Sequence, residues 1–336
     1  MFLSDRLLTR GRLPISSFLC FIGGFSMGSW LTLFHQLQLE RDLDQEDFSA
    51  HTHQPLLLLA ILIISAPNNF DRRNTLRSTW LKLNPDYTKV KHFFVVGNEG
   101  LNPDVQQKLK REQTVAGDLL ILPDLVDSYD NLTLKLSQGL SHLSIAYPFK
   151  YVLKCDDDSF ARVDVITTQL LARKKDVGAG QEADTCLYWG FFDGRARVQK
   201  KGKWKEDDYE LCDLYIPYAL GGGYILSKKC TDFIVKNQAM LRPFRNEDVS
   251  VGTWLAPIIN EKKHDVQFDT EFESRGCNNA HIVQHKISQV EMVGRYKQLI
   301  SSGTLCTNET RRRPFYQYDW NLPPSKCCQR DPLNSA

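Results

Sequence analysis

The sequence predicts an α/β fold in which helices cover both faces of a parallel sheet. Four short apolar runs have the length and continuous hydrophobicity of strands buried on both faces, and they lie at Pro55–Pro67, Lys91–Gly97, Asp118–Asp124 and Lys150–Lys154. Segments with helical spacing separate these runs. Because strands that alternate with helices form parallel sheets, ligands are expected beyond the carboxyl ends of the strands.

Each element has its own signal. Prolines bound the first strand, and the next segments, Asp71–Leu81 and Asp104–Thr114, have the spacing of helices. The third helix carries four leucines on one face: Leu132, Leu136, Leu140 and Leu143. The predicted order is therefore βαβαβαβ.

The composition is that of a globular protein. Of 336 residues, 42% are hydrophobic and 24% are charged, and the net charge is only +2. Nothing in this balance indicates binding to nucleic acid.

The N-terminal part has the pattern of a membrane anchor. A charge-free stretch runs from Pro14 to Phe34 and, at about 1.5 Å per residue, is long enough to cross a bilayer core of about 30 Å. Arginines precede it and acidic residues follow it, so the positive-inside rule places the N-terminus in the cytosol. The sequence predicts a cytosolic tail at 1–13, a transmembrane signal-anchor at 14–34, a stem at 35–54 and a lumenal domain at 55–330. The alternative is a cleaved secretory signal.

A lumenal location permits disulfides and N-glycosylation. The chain has nine cysteines, of which Cys20 lies in the predicted anchor, and disulfides are favoured over zinc because no CxxC pair occurs. Asn131 and Asn308 begin the two glycosylation sequons. A glycan at Asn131 has to point away from any nearby binding cleft.

Three adjacent carboxylates, Asp156, Asp157 and Asp158, follow the fourth strand. Each like-charge pair at about 5 Å costs roughly 3 kcal/mol at an effective dielectric near 20, so a counter-charge or open water is required. Strand alternation turns Asp156 and Asp158 to one side and Asp157 to the other. The triplet is either a site for a hard divalent cation or a solvated acidic loop.

Two later segments also have two interpretations. Glu247 and Asp248 are either site residues or acids in the first turn of a helix capped by Asn246. The glycines of Tyr218–Ser227 allow either close approach of the backbone to a ligand or a tight bend. No P-loop is present and no GxGxxG follows the first strand, so neither a Walker-type ATPase nor a dinucleotide enzyme is supported.

Taken together, the motifs resemble those of the β-1,3-glycosyltransferase family, which includes β-1,3-galactosyltransferases, β-1,3-N-acetylglucosaminyltransferases and, more distantly, Fringe. Five stretches occur in the family's order: RSTW, DLVDSYDNLTLK, KCDDDSF, GGGYILS and NEDVSVG. Further segments, LYWGFFDGRARV and PPSKCCQR among them, most resemble members that add the second galactose of the proteoglycan linker.

The resemblance implies a GT-A glycosyltransferase fold, a Rossmann-like α/β/α sandwich, as the lumenal catalytic domain. It implies UDP-galactose as donor, Mn²⁺ as cofactor, and inversion at the sugar's anomeric carbon. Asp156 and Asp158 would hold the metal, with Asp157 nearer the ribose, so that the expected counter-charge is the metal ion.

The resemblance also suggests His285 as a third metal ligand, unless it is an ordinary surface histidine, with His281 as its local rival. The second acid of the EDV motif is the family's usual base, which favours Asp248 over Glu247.

Further donor contacts are expected from the same motifs. Tyr129 and Trp80 would wall the uracil pocket, with Arg77 and Lys135 near the phosphates. Each of these has a structural alternative, since an arginine in a helix can lie along the surface and Trp80 can belong to the core. Cys155, where relatives have other residues, is expected to be a buried free thiol.

The implied protein is a single-pass type II Golgi membrane enzyme that acts on proteoglycan core proteins bearing Gal-Xyl, in possible complexes with other linker glycosyltransferases. A transferase that uses UDP-N-acetylglucosamine, as Fringe-like enzymes do, is one alternative. A non-catalytic carbohydrate-binding protein that holds Ca²⁺ at the acidic site is another.

Overall fold

A computed structural model describes residues 54–177, 185–194, 196–259, 261–265, 267–269, 277–309, 316–319, 322–323 and 326–330. The predicted tail and anchor, and the stem except Gln54, lie outside these ranges. Within the described residues, no helix has the length and hydrophobicity that a membrane span requires.

The core of the fold is a seven-stranded mixed sheet. The strands, in chain order, are β1 (Leu57–Ile64), β2 (Val90–Glu99), β3 (Leu119–Val126), β4 (Phe149–Asp156), β5 (Phe160–Ala161), β6 (Leu187–Asp193), β7 (Tyr218–Ser227), β8 (Glu261–His264), β9 (Phe268–Asp269), β10 (Val283–Gln284), β11 (Tyr316–Tyr318) and β12 (Cys328–Arg330). The large sheet has the order β3-β2-β1-β4-β7-β6-β8. The four predicted strands are β1 to β4, which lie side by side and parallel, so this part of the sequence prediction is confirmed.

Helices pack against the sheet. They are α1 (Phe70–Ser78), α2 (Pro103–Ala116), α3 (Leu132–Ala146), α4 (Val163–Val177), α5 (Lys228–Asn237), α6 (Glu247–Leu255) and α7 (Gln289–Ser302). On α3 the predicted apolar face is buried through Leu136, Leu140 and Leu143. The first predicted helix is shorter than expected, because Thr79 leaves the helical conformation and a separate 3-10 turn, Trp80–Leu83, follows.

The order of the parallel strands creates a crevice at one end of the sheet. The chain passes from β1 outward to β2 and β3 and then returns to place β4 on the other side of β1. Ligands of α/β sheets bind where the strand order reverses, outside the carboxyl ends of the strands. In this sheet that point lies between β1 and β4.

Strand β7 corrects the prediction for the glycine-rich segment. The sequence suggested either a close approach of the backbone to a ligand or a tight bend. The bend is wrong, because Gly221, Gly222 and Gly223 lie within a ten-residue strand. This strand pairs antiparallel with β4, with Gly223 opposite Cys155. The glycines are needed for space rather than for a turn, as the site shows below.

Disulfides join distant parts of the chain, as expected. One links Cys186, just before β6, to Cys230 in α5, and another links Cys277 to Cys306. Among the described cysteines, the buried Cys155 and the exposed Cys212 are free thiols. The expectation of a free, buried Cys155 is thus confirmed, and burial raises the pKa of this thiol.

Candidate active site

A cluster of possible metal ligands lies at the carboxyl end of β4. Asp156 ends that strand, Asp158 follows it, and His285 comes directly after β10. Their ligand atoms all lie within 4.8 Å of one another. His285 Nε2 is 3.1 Å from Asp158 Oδ1 and 3.4 Å from Asp156 Oδ2. Two carboxylates and one imidazole form a donor set that suits a divalent ion such as Mn²⁺ or Zn²⁺.

The histidine of this cluster is not a surface residue. His285 is only 2% exposed, which excludes that alternative. Burial lowers its pKa, but hydrogen bonds and charge from Asp156 and Asp158 outweigh burial and raise the pKa to about 9. The rival His281 has its Nδ1 3.2 Å from the side-chain nitrogen of Gln284. The structure therefore brings His285, rather than His281, to Asp156 and Asp158.

Asp157 points away from this cluster, as strand alternation predicts. Its Oδ2 accepts hydrogen bonds from Ser65 Oγ at 2.7 Å and Asn69 Nδ2 at 2.8 Å, and Arg72 Nε lies 3.7 Å from its Oδ1. Burial raises its pKa, against these hydrogen bonds. Ser65 directly follows β1, so Asp157 spans the crevice between β1 and β4.

Protein cations supply part of the counter-charge that the acidic triplet requires. Lys154, in β4, is 1% exposed, and its Nζ donates to Asp156 Oδ1 at 3.0 Å, to the carbonyl of Gly221 at 2.7 Å and to Glu247 Oε1. Burial lowers the pKa of this lysine, but the charges of Asp156 and Glu247 together raise the pKa by more, so the lysine stays protonated. One buried ammonium thus joins Asp156, a possible metal ligand, to the start of α6.

The glycines of β7 make room for side chains on both sides of the strand. A Cβ atom at Gly221 would lie 2.7 Å from Glu247 Oε1, and one at Gly222 would lie 2.5 Å from Cγ of His285. Cβ atoms in proteins essentially never come within 3.0 Å of such heavy atoms. A larger residue at either glycine position would therefore displace these groups. Gly221 therefore leaves room for the acids of α6, and Gly222 leaves room for His285.

The two acids of α6 occupy different environments. Glu247 is buried and its oxygens are held by Lys154 and by Tyr224 Oη, the latter at 2.8 Å. Asp248 is only half-buried; its Oδ2 accepts from the backbone N–H of Gly221 at 2.9 Å. Burial raises the pKa of Glu247 to about 7 and raises that of Asp248 as well.

These groups line one cavity of about 420 Å³. Its lining includes Asp156, His285, Glu247, Asp248, Tyr129 and Trp204. Asn246, at the start of α6, does not cap the helix with its side chain. Its Oδ1 instead accepts from Tyr129 Oη at 3.0 Å, and its Nδ2 donates to the carbonyl of Trp204 at 3.1 Å. Asn246 therefore occupies the predicted N-cap position, but its side chain does not make the predicted capping hydrogen bond.

Not all predicted donor contacts come to this cavity. Arg77 binds Asp118 at the start of β3 and Glu112 of α2, away from the carboxyl ends of the strands. Lys135 is buried, and its Nζ donates to the carbonyl of Ser65 at 2.7 Å and to Asp127 Oδ2 at 2.5 Å.

The structural alternatives for these residues have direct support in the structure. Burial lowers the pKa of Lys135. Trp80 is fully buried in the core, so it does not wall a pocket. Both side chains are used within the fold.

Sequence reasoning missed several residues of the site, Lys154 and Arg72 among them. Lys154 stands two positions before Asp156 in the same strand, and this spacing puts both side chains on one face. Arg72 lies near the start of α1, and a helix that follows a parallel strand begins at the carboxyl end of that strand. Both signals were present in the sequence.

The two sequon asparagines differ in their surroundings. Asn308 is exposed. Asn131 is half-buried and its Nδ2 donates to the carbonyl of Val126 at 2.9 Å. Glycosylation of either residue stays a prediction.

Comparison with known proteins identifies the class. The family model described as Galactosyltransferase matches residues 71–265. The chain therefore belongs to the galactosyltransferase family, and it is a hexosyltransferase. Such relatives imply a nucleotide-sugar donor and a glycan acceptor.

Two individual relatives show how similar this chain is to known galactosyltransferases. Beta-1,3-galactosyltransferase 6 of Mus musculus is 46% identical over 276 residues, which cover 81% of this chain and 82% of that protein. Hydroxyproline O-galactosyltransferase GALT6 of Arabidopsis thaliana is 33% identical over 253 residues, which cover 72% of this chain but only 35% of the plant protein.

Proposed function

We propose that this protein transfers galactose from UDP-galactose, with inversion, to position 3 of the galactose in Gal-β-1,4-Xyl on proteoglycan core proteins. The observation that carries the proposal is the 46% identity to mouse beta-1,3-galactosyltransferase 6 over 81% of this chain. The family motifs of the acidic cluster, the glycine strand and α6 support it. The linker acceptor rests on the resemblance of segments such as LYWGFFDGRARV.

The proposal includes a GT-A fold and a Mn²⁺ site. Asp156, Asp158 and His285 would hold the ion, because their oxygen and nitrogen donors lie within 4.8 Å of one another. A bound divalent ion would neutralise negative charge that develops on the departing UDP. Lys154 and Arg72 contribute fixed positive charge at the same end of the sheet.

Asp248 is the proposed general base. Inversion requires a carboxylate on the face of the sugar opposite the diphosphate, where it can accept the proton of the attacking hydroxyl. Both acids line the cavity, but the oxygens of Glu247 accept from the side chains of Lys154 and Tyr224, whereas those of Asp248 accept from backbone N–H groups. Burial raises the pKa of Asp248, which makes it a stronger base than a solvated aspartate.

Donor binding is proposed at the crevice between β1 and β4. Asp157 faces this crevice and is assigned to the ribose, while Arg72 replaces Arg77 as the arginine near the phosphates. Tyr129 lines the cavity, so stacking on uracil stays a prediction for it. Lys135 would support the donor site indirectly, through Ser65 and Asp127.

The proposed location is the Golgi membrane, with the N-terminal segment 14–34 as a type II anchor and the catalytic domain in the lumen. Support comes from the sequence pattern of Pro14–Phe34 and its flanking charges. Complexes with other linker glycosyltransferases fit this location.

The experiment is a UDP-release assay on the detergent-solubilised full chain. UDP-galactose and a β-galactosyl-xyloside should give Mn²⁺-dependent UDP release that EDTA abolishes, and NMR of the product should show a β-1,3 linkage. Faster turnover of UDP-N-acetylglucosamine would favour the Fringe-like alternative. Disaccharide binding without UDP release from either donor would favour the non-catalytic alternative.

A further inference from the structure

The segment between β6 and β7 forms one wall of the cavity. Ala196, Gln199, Lys203 and Trp204 of this segment all line it. Trp204 is 38% exposed, although an indole ring is among the most costly groups to leave in water. Its position in the wall exposes that aromatic surface to whatever occupies the cavity.

Two residues fix this wall to the start of α6. Glu206 is 2% exposed, and its carboxylate accepts from the backbone N–H groups of Arg245 at 3.0 Å and Asn246 at 3.1 Å. Asn246 Nδ2 donates both to Glu206 Oε2 at 3.0 Å and to the carbonyl of Trp204 at 3.1 Å. Buried charge-assisted hydrogen bonds of this kind are strong, so the wall is held firmly.

The anchor point determines what the wall can contact. Asn246 is separated from Asp248 only by Glu247, so the position of Trp204 is set relative to the proposed base. Within β7, Gly221 packs against the acids of α6, whereas the next residue, Gly222, packs against His285. A group that touches Trp204 and Asp248 together lies beside the proposed base, which is where the acceptor hydroxyl has to be for its proton to be removed.

We propose that Trp204 is the stacking platform for the acceptor sugar. The ligand class is a terminal β-galactoside, whose apolar C–H face lies on the indole while its 3-hydroxyl reaches Asp248. This inference rests on the proposed function. Lys203, whose Nζ lies 5.0 Å from the centre of the Tyr129 ring, borders the same subsite.

Acceptor binding tests the inference separately from catalysis. Saturation-transfer NMR on the full chain, without donor, measures binding of Gal-β-1,4-Xyl. We expect wild type to bind and Trp204→Ala to bind at least about tenfold more weakly, as truncation of a central aromatic contact does. Trp204→Phe should recover most of the affinity. Tyr87→Ala, which removes an exposed aromatic residue outside the cavity, is the matched control.

Kinetics give a second measurement. In Trp204→Ala the KM for the acceptor should rise about tenfold, while the KM for UDP-galactose stays within about twofold. Equal acceptor affinity in wild type and Trp204→Ala, or an equal rise in both KM values, would overturn the platform. Absence of UDP release from a wild type that binds the disaccharide through Trp204 would overturn only the proposed function.

Discussion

The backbone of Gly222 packs directly against the imidazole ring of His285. A Cβ atom at this position would lie 2.5 Å from Cγ and 2.6 Å from Nδ1 of the ring. The residue has no space for a side chain, so any larger residue here would have to displace the imidazole ring. The identity of Gly222 therefore controls the third proposed metal ligand.

Substitution Gly222→Ala is expected to weaken Mn²⁺ binding by about 10- to 100-fold, because residues that orient a ligand have effects of this size. Titration calorimetry with Mn²⁺ measures this directly. Gly294→Ala is the control, since a Cβ there meets nothing within 4 Å and Gly294 lies in helix α7. Equal Mn²⁺ affinity in Gly222→Ala and wild type would remove His285 from the metal site.

Substitution Asp248→Asn should lower turnover by about 10²- to 10⁴-fold, the usual contribution of a general base. The amide oxygen can still accept from the N–H of Gly221, so folding and UDP affinity should be retained. Single-turnover kinetics and UDP titration measure the two effects. If the substitution left turnover intact while Glu247→Gln abolished it, the base would be Glu247.

Removal of the buried ammonium of Lys154 should strongly lower the free energy of unfolding. Lys154→Met leaves Asp156 and Glu247 without their shared cation, and breaking a buried ion pair costs about 3–5 kcal/mol. Adding Glu247→Gln should recover part of this loss, as a double-mutant cycle in urea unfolding would show. The control is Lys228→Met, which breaks a partly exposed pair with Asp232 and should cost less than about 1 kcal/mol. Additive effects in the cycle would mean that Lys154 and Glu247 are not coupled.

The pH dependence of stability should report the ion pair at Asp118. Burial opposes ionisation of this carboxyl, but hydrogen bonds from His92 and Arg77 outweigh burial and lower its pKa from 3.8 to about 2. A folded-state pKa below the unfolded value stabilises the protein above pH 3.8, and this stabilisation is lost as the pH falls toward 2.

Asp118→Asn should therefore be less stable than wild type by about 2 kcal/mol at pH 7, with a gap that narrows below pH 4. Urea midpoints at several pH values measure this gap. A gap that does not change with pH would assign the role of Asp118 to packing rather than to charge.

The parallel half of the sheet was predictable because its strands are buried on both faces. In β1 every residue is buried, which leaves an uninterrupted apolar run in the sequence. Edge strand β8 has the sequence EKKH and offers no such signal. The antiparallel insertion of β7 between β4 and β6 depends on long-range pairing, which no local pattern specifies.

The positions of site residues were predictable where a motif defines the local geometry. They were not predictable where they depend on which end of a helix carries the residue. The acidic triplet follows a buried strand, so the sides taken by Asp156 and Asp157 follow from alternation. Arg72 and Arg77 lie on the same helix, yet only Arg72 is near the triplet. Arg77 belongs to a motif, but its position at the end of α1 brings it to Asp118 instead.

The bond between Cys277 and Cys306 encloses the segment that carries His285, with a sequence separation of 29. Closure of a loop of this length lowers the conformational entropy of the unfolded chain and so stabilises the folded state by roughly 3–4 kcal/mol. A nascent chain that has not been oxidised lacks this restraint on the segment that delivers the imidazole. Folding of the segment that carries His285, the third proposed metal ligand, is thereby coupled to oxidation of this cysteine pair, and a thiol reductant is expected to weaken Mn²⁺ binding.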